Sequence, residues 1–303
     1  MNTIEGFARY LAENQIEAGR DRPLSEWSSF RIGGPADLFI APKSEEEAAK
    51  ALCYAGAHGI PLVVLGKGSN VLFSDAGYRG AVLHLGAGFD NIRRVGENEI
   101  YCEAGAGLGD LAVFAAECGL TGLEFAYGIP GSVGGGVYMN AGAFGSEVKN
   151  VIVSARYLSA DGVRKELGVD EMNLSYRHSA FMEMDGVITG AAFKLAQGDP
   201  EEIKARMGDY LGRRESKQPL EYPSAGSTFK RPAGNFASAL IDQCGLKGLA
   251  VGGAAVSEKH AGFVINTGDA SCRDVLALIG KVKEEVFRQT GYRLEPEVRV
   301  IGE

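Results

Sequence analysis

Cysteine is scarce in this 303-residue chain and follows no pattern. Cys53, Cys102, Cys118, Cys244 and Cys272 form an odd set without a C-x-x-C pair. That excludes a disulfide framework and a dithiol redox pair, and it predicts reduced cysteines acting as small core residues in a cytoplasmic protein. The four histidines, at positions 58, 84, 178 and 260, lack metal-ligand spacing, so no metal site is expected. Basic runs of five or more are missing, and 31 basic residues against 39 acidic ones leave a net charge of −8. Nucleic acid and membrane surfaces are therefore not expected partners. The opening MNTIEGFARYLAENQ lacks a basic start followed by an apolar core, and does not read as a signal peptide. Two phosphate fingerprints are also absent. Without G-x-x-x-x-G-K-[ST] a P-loop nucleotidase is excluded, and without G-x-G-x-x-G between a strand and a helix so is a Rossmann domain.

What is present instead is glycine. From Phe125 to Ser146 the chain reads FAYGIPGSVGGGVYMNAGAFGS, with seven glycines and not one charged side chain. Gly, Asn, Ser and Pro130 interrupt it too often for a membrane span. So much glycine in one place costs entropy on folding, which is explained if the backbone takes positive φ or approaches a ligand closely. Peptide N–H groups then become the binding groups, since successive amides in such turns hold phosphate oxygens without Lys or Arg. A second loop, Gly66-Lys-Gly-Ser-Asn70, follows the apolar run Pro61–Leu65 and precedes Val71-Leu72. Gly66 and Gly68 would let the main chain fold around a pyrophosphate, with Ser69 and Asn70 as neutral donors. Both loops predict a bound dinucleotide or nucleotide diphosphate.

The organisation along the chain is α+β with two sheets rather than regularly repeated βαβ. An amphipathic helix is expected over residues 4–17, then a strand over 36–41 and a helix opened by the capping box Ser44–Glu47 and closed near Gly59. Strands follow over 61–65, 81–85, 91–95 and 99–103, a helix over 108–117, and strands over 151–158 and 187–194. Asp199-Pro200 is a strong helix start, with Asp as N-cap and Pro at the first helical position, for a helix to about Arg214. Further on come a helix around 236–244, a strand over 262–266, and a last helix from the box Ser271–Asp274 whose Val275, Ile279, Val282 and Val286 share one face. The tail, 295–301, reads as a strand. No internal repeat or low-complexity run is visible.

Three segments join ionisable or hydroxyl side chains to turn-forming surroundings: residues 175–181, 222–230 and 295–298. Taken singly, Arg177 reads as a solvated loop cation, Ser227 as a turn hydroxyl and Glu297 as an edge-strand charge. Taken with the glycine loops they carry a resemblance. The segments GKGSNVL at 66–72, YGIPGSVGGGVYMNAGAFG at 127–145, LSYRHSAF at 174–181, SAGSTFKRP at 224–232, LIDQCGLKG at 240–248 and LEPEVRVIGE at 294–303 resemble the UDP-N-acetylenolpyruvoylglucosamine reductase family over nearly the whole chain. With no long insertion between Arg177 and Ser227, the likeness is to the shorter form that lacks an extra tyrosine-bearing loop.

The resemblance implies a two-subdomain FAD-binding fold of the vanillyl-alcohol-oxidase (PCMH) type plus an α+β substrate-binding domain. The expected division is 1–80 as the first FAD-binding subdomain, to which the strand 297–303 returns, 81–198 as the second, and 199–296 as the substrate domain. It implies NADPH-dependent reduction of UDP-N-acetylglucosamine enolpyruvate to UDP-N-acetylmuramate in peptidoglycan precursor synthesis, with non-covalent FAD, NADPH and a UDP-sugar as small-molecule partners and no obligate protein partner. Arg177 would counter the enolate, Glu297 would assist as a desolvated carboxyl group, and Ser227 would give the proton, with Ser224 and Thr228 as rival donors. The cofactor would rest on Gly66, Lys67, Gly68, Ser69, Asn70, Gly128, Ile129, Pro130, Gly131, Ser132, Val133, Gly134, Gly135, Asn140, Ala141 and Gly142. Lys217 matches the family lysine that meets substrate and NADPH phosphates, and Arg231 and His260 are further substrate candidates. Two departures are visible, Phe144 where many relatives have tyrosine and Arg231 where some have asparagine. Rival readings are an alcohol or sugar oxidase on the same scaffold and a non-catalytic nucleotide-binding module.

Overall fold

The structure is a computed structural model that describes residues 3–302. The chain divides into two compact units, one of residues 1–21, 37–67 and 80–213 and the other of residues 22–36, 68–79 and 214–303. Each has its own apolar cluster.

In the first unit helix α1 (Thr3–Glu13) packs on α2 (Glu45–Ala57). Tyr54 stacks on Phe7 at 4.7 Å and on Tyr10 at 4.5 Å between ring centroids. Ser44 caps α2 by accepting from the Glu47 N–H, as the sequence predicts. The Glu47 carboxylate returns one residue further back than a capping box requires, to the Lys43 N–H. A four-stranded sheet runs in the order 18–23, 35–40, 78–84, 62–65. Its last pair is parallel, Leu62 opposite Ala81 through Leu65 opposite His84. A five-stranded antiparallel sheet runs in the order 164–168, 152–159, 186–194, 99–103, 92–94. Helix α3 (Leu108–Glu117) buries Leu108, Leu111, Ala112, Ala115 and Ala116 at the helical period. Helix α5 (Pro200–Lys217) begins where the sequence places it, with Asp199 Oδ1 accepting from the Glu201 N–H at 2.8 Å and the Glu202 N–H at 3.2 Å.

The second unit is smaller. Strands 250–251, 254–256 and 264–266 form an antiparallel sheet, and Arg299–Ile301 pairs in parallel with Val71–Phe73. Helix α7 (Cys272–Thr290) has the predicted box, Ser271 and Asp274 exchanging side-chain-to-backbone bonds. It ends at Gly291, whose φ of 76° suits the left-handed cap. Val275, Leu278, Ile279, Val282 and Val286 are buried along one face. Fully burying each such side chain is worth roughly 1.5–3 kcal/mol, which makes this helix the mainstay of the unit.

Several expectations need correction. Cys53 is exposed and Cys118 and Cys244 are half-buried, so Cys102 and Cys272 alone among the five are core residues. Helix α1 ends at Glu13, and 18–23 is a strand that its polar sequence AGRDRP conceals. Besides the two large sheets there are the three-stranded sheet and several two-stranded pairings. Helix α5 runs three residues past Arg214, to Lys217. Glu303, the end of the expected tail strand, lies outside the described residues.

Candidate functional site

The glycine segment is folded around a helix of its own. Ser132, 2 % exposed, caps α4 (Val133–Tyr138) by accepting from the Gly135 N–H at 3.2 Å. Sequence reading misses this helix because three successive glycines carry almost no helix propensity. Here close packing favours them. A Cβ on Gly134 would stand 2.9 Å from that of Ala104, and one on Gly136 3.0 Å from both Leu108 methyl groups. Gly135 faces the other way. It is exposed, and its Cβ would meet only the Ser132 hydroxyl, at 3.2 Å. The two glycine loops touch, since a side chain on Gly66 would run into Ser132 Oγ.

The chain crosses from the first unit to the second inside the loop Gly66–Asn70. None of its five N–H groups donates to an acceptor among the described residues, although Gly68 is buried. More than nine in ten buried backbone groups are paired, so consecutive unpaired amides mark a place built for acceptors from outside the chain. Gly68, with φ of 61°, sits so close to the Trp27 carbonyl that no side chain fits. Lys67 Nζ lies 3.7 Å from Asp110. Gly128 and Ser132 also have N–H groups without an acceptor among the described residues. The residues present fit the diphosphate of a dinucleotide. Beneath the loop the half-buried His84 lies with Nδ1 3.3 Å from the Leu65 carbonyl, and burial pushes its pKa down.

Arg177 is delivered by the same segment. It is at the tip of a tight turn closed by Ser175 and His178, each N–H bonded to the other's carbonyl at 3.1 Å, and its φ of 54° is left-handed. Asn140, 0 % exposed, donates to the Ser175 carbonyl at 2.9 Å and accepts from the Lys149 N–H at 2.9 Å. Ser179 Oγ donates to the Tyr138 carbonyl at 2.7 Å. Asn140, read from sequence as a cofactor residue, here braces the arginine turn. Two more braces escape sequence reading, both on α5. The buried Glu124 accepts from Arg206 at 3.2 Å and from the Gly122 N–H at 2.8 Å. Phe144, left-handed at φ 53°, stacks on Tyr210 at 4.3 Å. Glu124 flanks the charge-free run, Phe144 lies within it, and Arg206 and Tyr210 are four apart. That helical spacing is the signal that was available.

In the second unit Ser227 and Glu297 are neighbours. The Glu297 N–H donates to the Thr228 carbonyl at 2.8 Å, and Phe229 bridges to Pro296. Asn70 joins them, its amide 3.4 Å from the Glu297 carbonyl and its own carbonyl accepting from Arg299 at 3.1 Å. Ser227 is exposed, after Gly226 at φ 73°. Of its rivals, Thr228 is buried, its hydroxyl accepting from the Val264 N–H at 2.9 Å. Ser224 is anchored through its carbonyl, which accepts from Ser29 at 2.7 Å. Glu297 is half-buried. Lys217 is exposed at the end of α5, and the exposed Arg231 lies 4.5 Å over the Phe236 ring. His260 accepts at Nδ1 from the Gly262 N–H at 3.1 Å. Burial, then the charges of Lys247 and Lys217, lower its pKa. With Nδ1 accepting, Nε2 is the ring nitrogen left to carry a proton. Among the described residues no group of three His, Cys, Asp or Glu could hold a metal ion, and no helix is long and apolar enough to cross a membrane.

Residues 36–168 match the family model of an FAD binding domain. Residues 218–301 match that of the UDP-N-acetylenolpyruvoylglucosamine reductase C-terminal domain. The UDP-N-acetylenolpyruvoylglucosamine reductase of Syntrophomonas wolfei subsp. wolfei is 48% identical over 283 residues, covering 93% of this chain and 94% of its own. The crystal structure of UDP-N-acetylenolpyruvylglucosamine reductase from Thermus caldophilus superposes with a TM-score of 0.80 at 34% identity, over 94% of this chain and 98% of that one. A berberine bridge enzyme variant, a reticuline dehydrogenase, superposes with a TM-score of 0.52 at 14% identity, over 64% of this chain and 44% of that one, a likeness of fold alone.

Proposed function

The chain belongs to the UDP-N-acetylenolpyruvoylglucosamine reductase family, and from that premise we propose that it reduces UDP-N-acetylglucosamine enolpyruvate to UDP-N-acetylmuramate with NADPH as reductant. It is an FAD-dependent oxidoreductase of peptidoglycan precursor synthesis, of the α+β vanillyl-alcohol-oxidase type. Bound FAD supplies hydride transfer, from NADPH and then to the terminal enol-ether carbon of the sugar nucleotide.

The chain's own residues handle what that transfer leaves behind. Hydride at the terminal carbon puts carbanion character on the next carbon, conjugated with a carboxylate. The growing charge is stabilised by donors already in place. Arg177 counters the enolate, and its turn, braced by Asn140 and Ser179, spares the reaction the cost of ordering the guanidinium. Ser227 gives its hydroxyl proton to the carbanion carbon. A serine is a weak acid, but a carbanion is basic enough to take the proton when the hydroxyl is held. Glu297 assists as a carboxyl group beside the serine loop. The observation that supports this reading is the bond from the Glu297 N–H to the Thr228 carbonyl at 2.8 Å, which joins the backbone of the serine loop to that of the Glu297 segment. Thr228 is buried, which disfavours its hydroxyl as the donor to a bound substrate.

The glycine loops hold the non-covalent FAD by backbone N–H groups, while Lys217, Arg231 and His260 meet the sugar nucleotide and NADPH. The matched ranges 36–168 and 218–301 support two FAD-binding subdomains, 1–80 with the returning tail and 81–198, and a substrate domain over 199–296. The enzyme acts in the cytoplasm without an obligate protein partner. One experiment tests the reading: visible spectra of the purified protein, first with anaerobic NADPH and then with the enolpyruvyl UDP-sugar. Bleaching by NADPH and recovery by the sugar nucleotide are expected. Recovery by oxygen and an alcohol or sugar alone would favour the oxidase reading, and a colourless protein the binding module.

A further inference from the structure

The loop that carries Arg177 is crossed by a histidine whose two ring nitrogens both face acceptors. His178 Nδ1 lies 3.3 Å from the Asn173 carbonyl, on the limb before the turn, and Nε2 lies 3.3 Å from Glu183 Oε1, on the limb after it. A carbonyl and an ionised carboxylate only accept hydrogen bonds, and a neutral imidazole has one N–H to give. Both contacts are therefore hydrogen bonds only when the ring is protonated. The imidazolium ties both limbs together, and the neutral ring holds one of them.

That difference falls on a turn that needs holding. Asn173, with φ of 44°, and Arg177, with φ of 54°, are both left-handed. A non-glycine residue in that region persists where its surroundings hold it there. Asn140 and Ser179 brace the turn through uncharged side chains. His178 is the brace whose charge changes, since histidine titrates between about pH 5 and pH 8. The charged groups about the ring are Glu183 and Arg177 on its own loop. The segment packed against the turn brings Tyr138 and Lys149, whose backbone groups meet Ser179 and Asn140. Among the described residues Glu183 is the one carboxylate within ion-pair distance of the ring. The side chains of His178 and Glu183 are 34% and 75% exposed, so the pair adds little to global stability and acts on the local order of the loop.

We propose that His178 is a positioning residue for Arg177: its protonated ring bridges Asn173 and Glu183 and keeps the arginine turn ordered, and loss of the proton releases one limb of the loop. The inference rests on the role given to Arg177 above. It adds a pH dependence to enolate stabilisation that originates outside the reacting groups.

The test compares wild type, His178→Gln, Glu183→Gln and the control His58→Gln, all FAD-loaded, at about pH 6 and about pH 8. His58 is the control because its Nδ1 meets a carbonyl of its own helix, α2. Two quantities are read. Anaerobic stopped-flow gives flavin reoxidation by the enolpyruvyl UDP-sugar, and hydrogen exchange gives the protection of the Ser175 and His178 amides, which close the turn. In Glu183→Gln the new amide donates to the unprotonated Nε2, so the neutral ring keeps both bonds. Relative to wild type at the same pH, its reoxidation rate and turn protection should rise by about 2- to 5-fold between about pH 6 and about pH 8, the scale of an exposed charged contact. His178→Gln should fall below wild type by a similar factor at about pH 6 and converge on it at about pH 8. His58→Gln should follow wild type throughout. Flavin reduction by NADPH should be alike in every variant, because no enolate forms in that step. Ratios to wild type that do not change with pH in Glu183→Gln and His178→Gln overturn the proposal, and so does an equal change in His58→Gln. Exchange needs no turnover. Turn protection that follows His178 in a protein that leaves the enolpyruvyl sugar unreduced would sink the functional reading and spare the coupling of His178 to the turn.

Discussion

On the proposed reading, the two units meet their ligands in different ways. In the first, the groups proposed to hold the ligand are mostly backbone, the amides of Gly66 and Lys67 and a helix opened by Ser132 among glycines, with Asn140 and Glu124 spent on bracing and Arg177 as the charged side chain proposed to act. In the second the proposed groups are side chains on turns and a helix end, Ser227, Glu297 and Lys217. The difference follows the chemistry. A diphosphate is held by fixed dipoles that need never move a proton, whereas a carbanion needs one group that releases a proton and others that follow the charge.

The largest effect should come from breaking the side-chain half. Ser227→Ala should slow reoxidation of the flavin by the enolpyruvyl sugar by about 10²- to 10⁴-fold, the usual cost of a lost general acid. Reduction by NADPH should stay near normal, since it needs no proton at the sugar carbon. Anaerobic stopped-flow traces measure both. Equal slowing of the two would mean a damaged pocket, and an unchanged second step would remove Ser227 from the mechanism. Ser224→Ala should leave both steps intact.

Next in size are the two cores. Leu83 in the first unit and Leu278 in the second are both fully buried, so either change to Ala should cost about 2–5 kcal/mol. Amide hydrogen exchange should show Leu278→Ala loosening α7 and its sheet more than the five-stranded sheet, and Leu83→Ala the reverse. Uniform loss of protection in both variants would make the units one cooperative body and dissolve the comparison.

Smaller effects sharpen the backbone half. Gly134→Val presses on Ala104 and should lower stability by about 1–3 kcal/mol, whatever is bound. Gly135→Val is on an exposed face and meets only the Ser132 hydroxyl, at 3.2 Å, so it should cost less stability than Gly134→Val and act chiefly by lowering FAD occupancy. Cofactor content against melting temperature separates the two, and full occupancy in Gly135→Val would return that position to an ordinary surface.

Least in size is the acid response of α7. Bonds from Ser271 hold the Asp274 carboxyl below its ordinary range. A depressed acid contributes its stabilisation above the unfolded-state value, and the contribution fades as pH falls through the folded one. Protection of the first turn of α7 should therefore fall below about pH 4. Asp274→Asn should remove that dependence, and an identical acid profile in the variant would show that the cap does not titrate.

What the sequence determined was whatever is written in neighbouring residues. Ser44, Asp199 and Ser271 start their helices because a cap needs one side chain and the next three amides. The α7 face and the two glycine loops were legible for the same local reason. The long ordered motifs carried the family as well. Tertiary structure alone decided the rest. The strand over 18–23 has a polar sequence and exists through its neighbour in the sheet, and α4 carries Gly134 and Gly136 because Ala104 and Leu108 leave no room there for side chains. Asn140 braces the arginine turn because the Ser175 carbonyl, 35 residues on, is brought to its amide by the fold. Ser227 is exposed where Thr228 is not, because the Thr228 side chain turns inward and its hydroxyl accepts from the Val264 N–H. Burial makes an unpaired polar group costly, and which groups are buried together depends on contacts that no local stretch of sequence records.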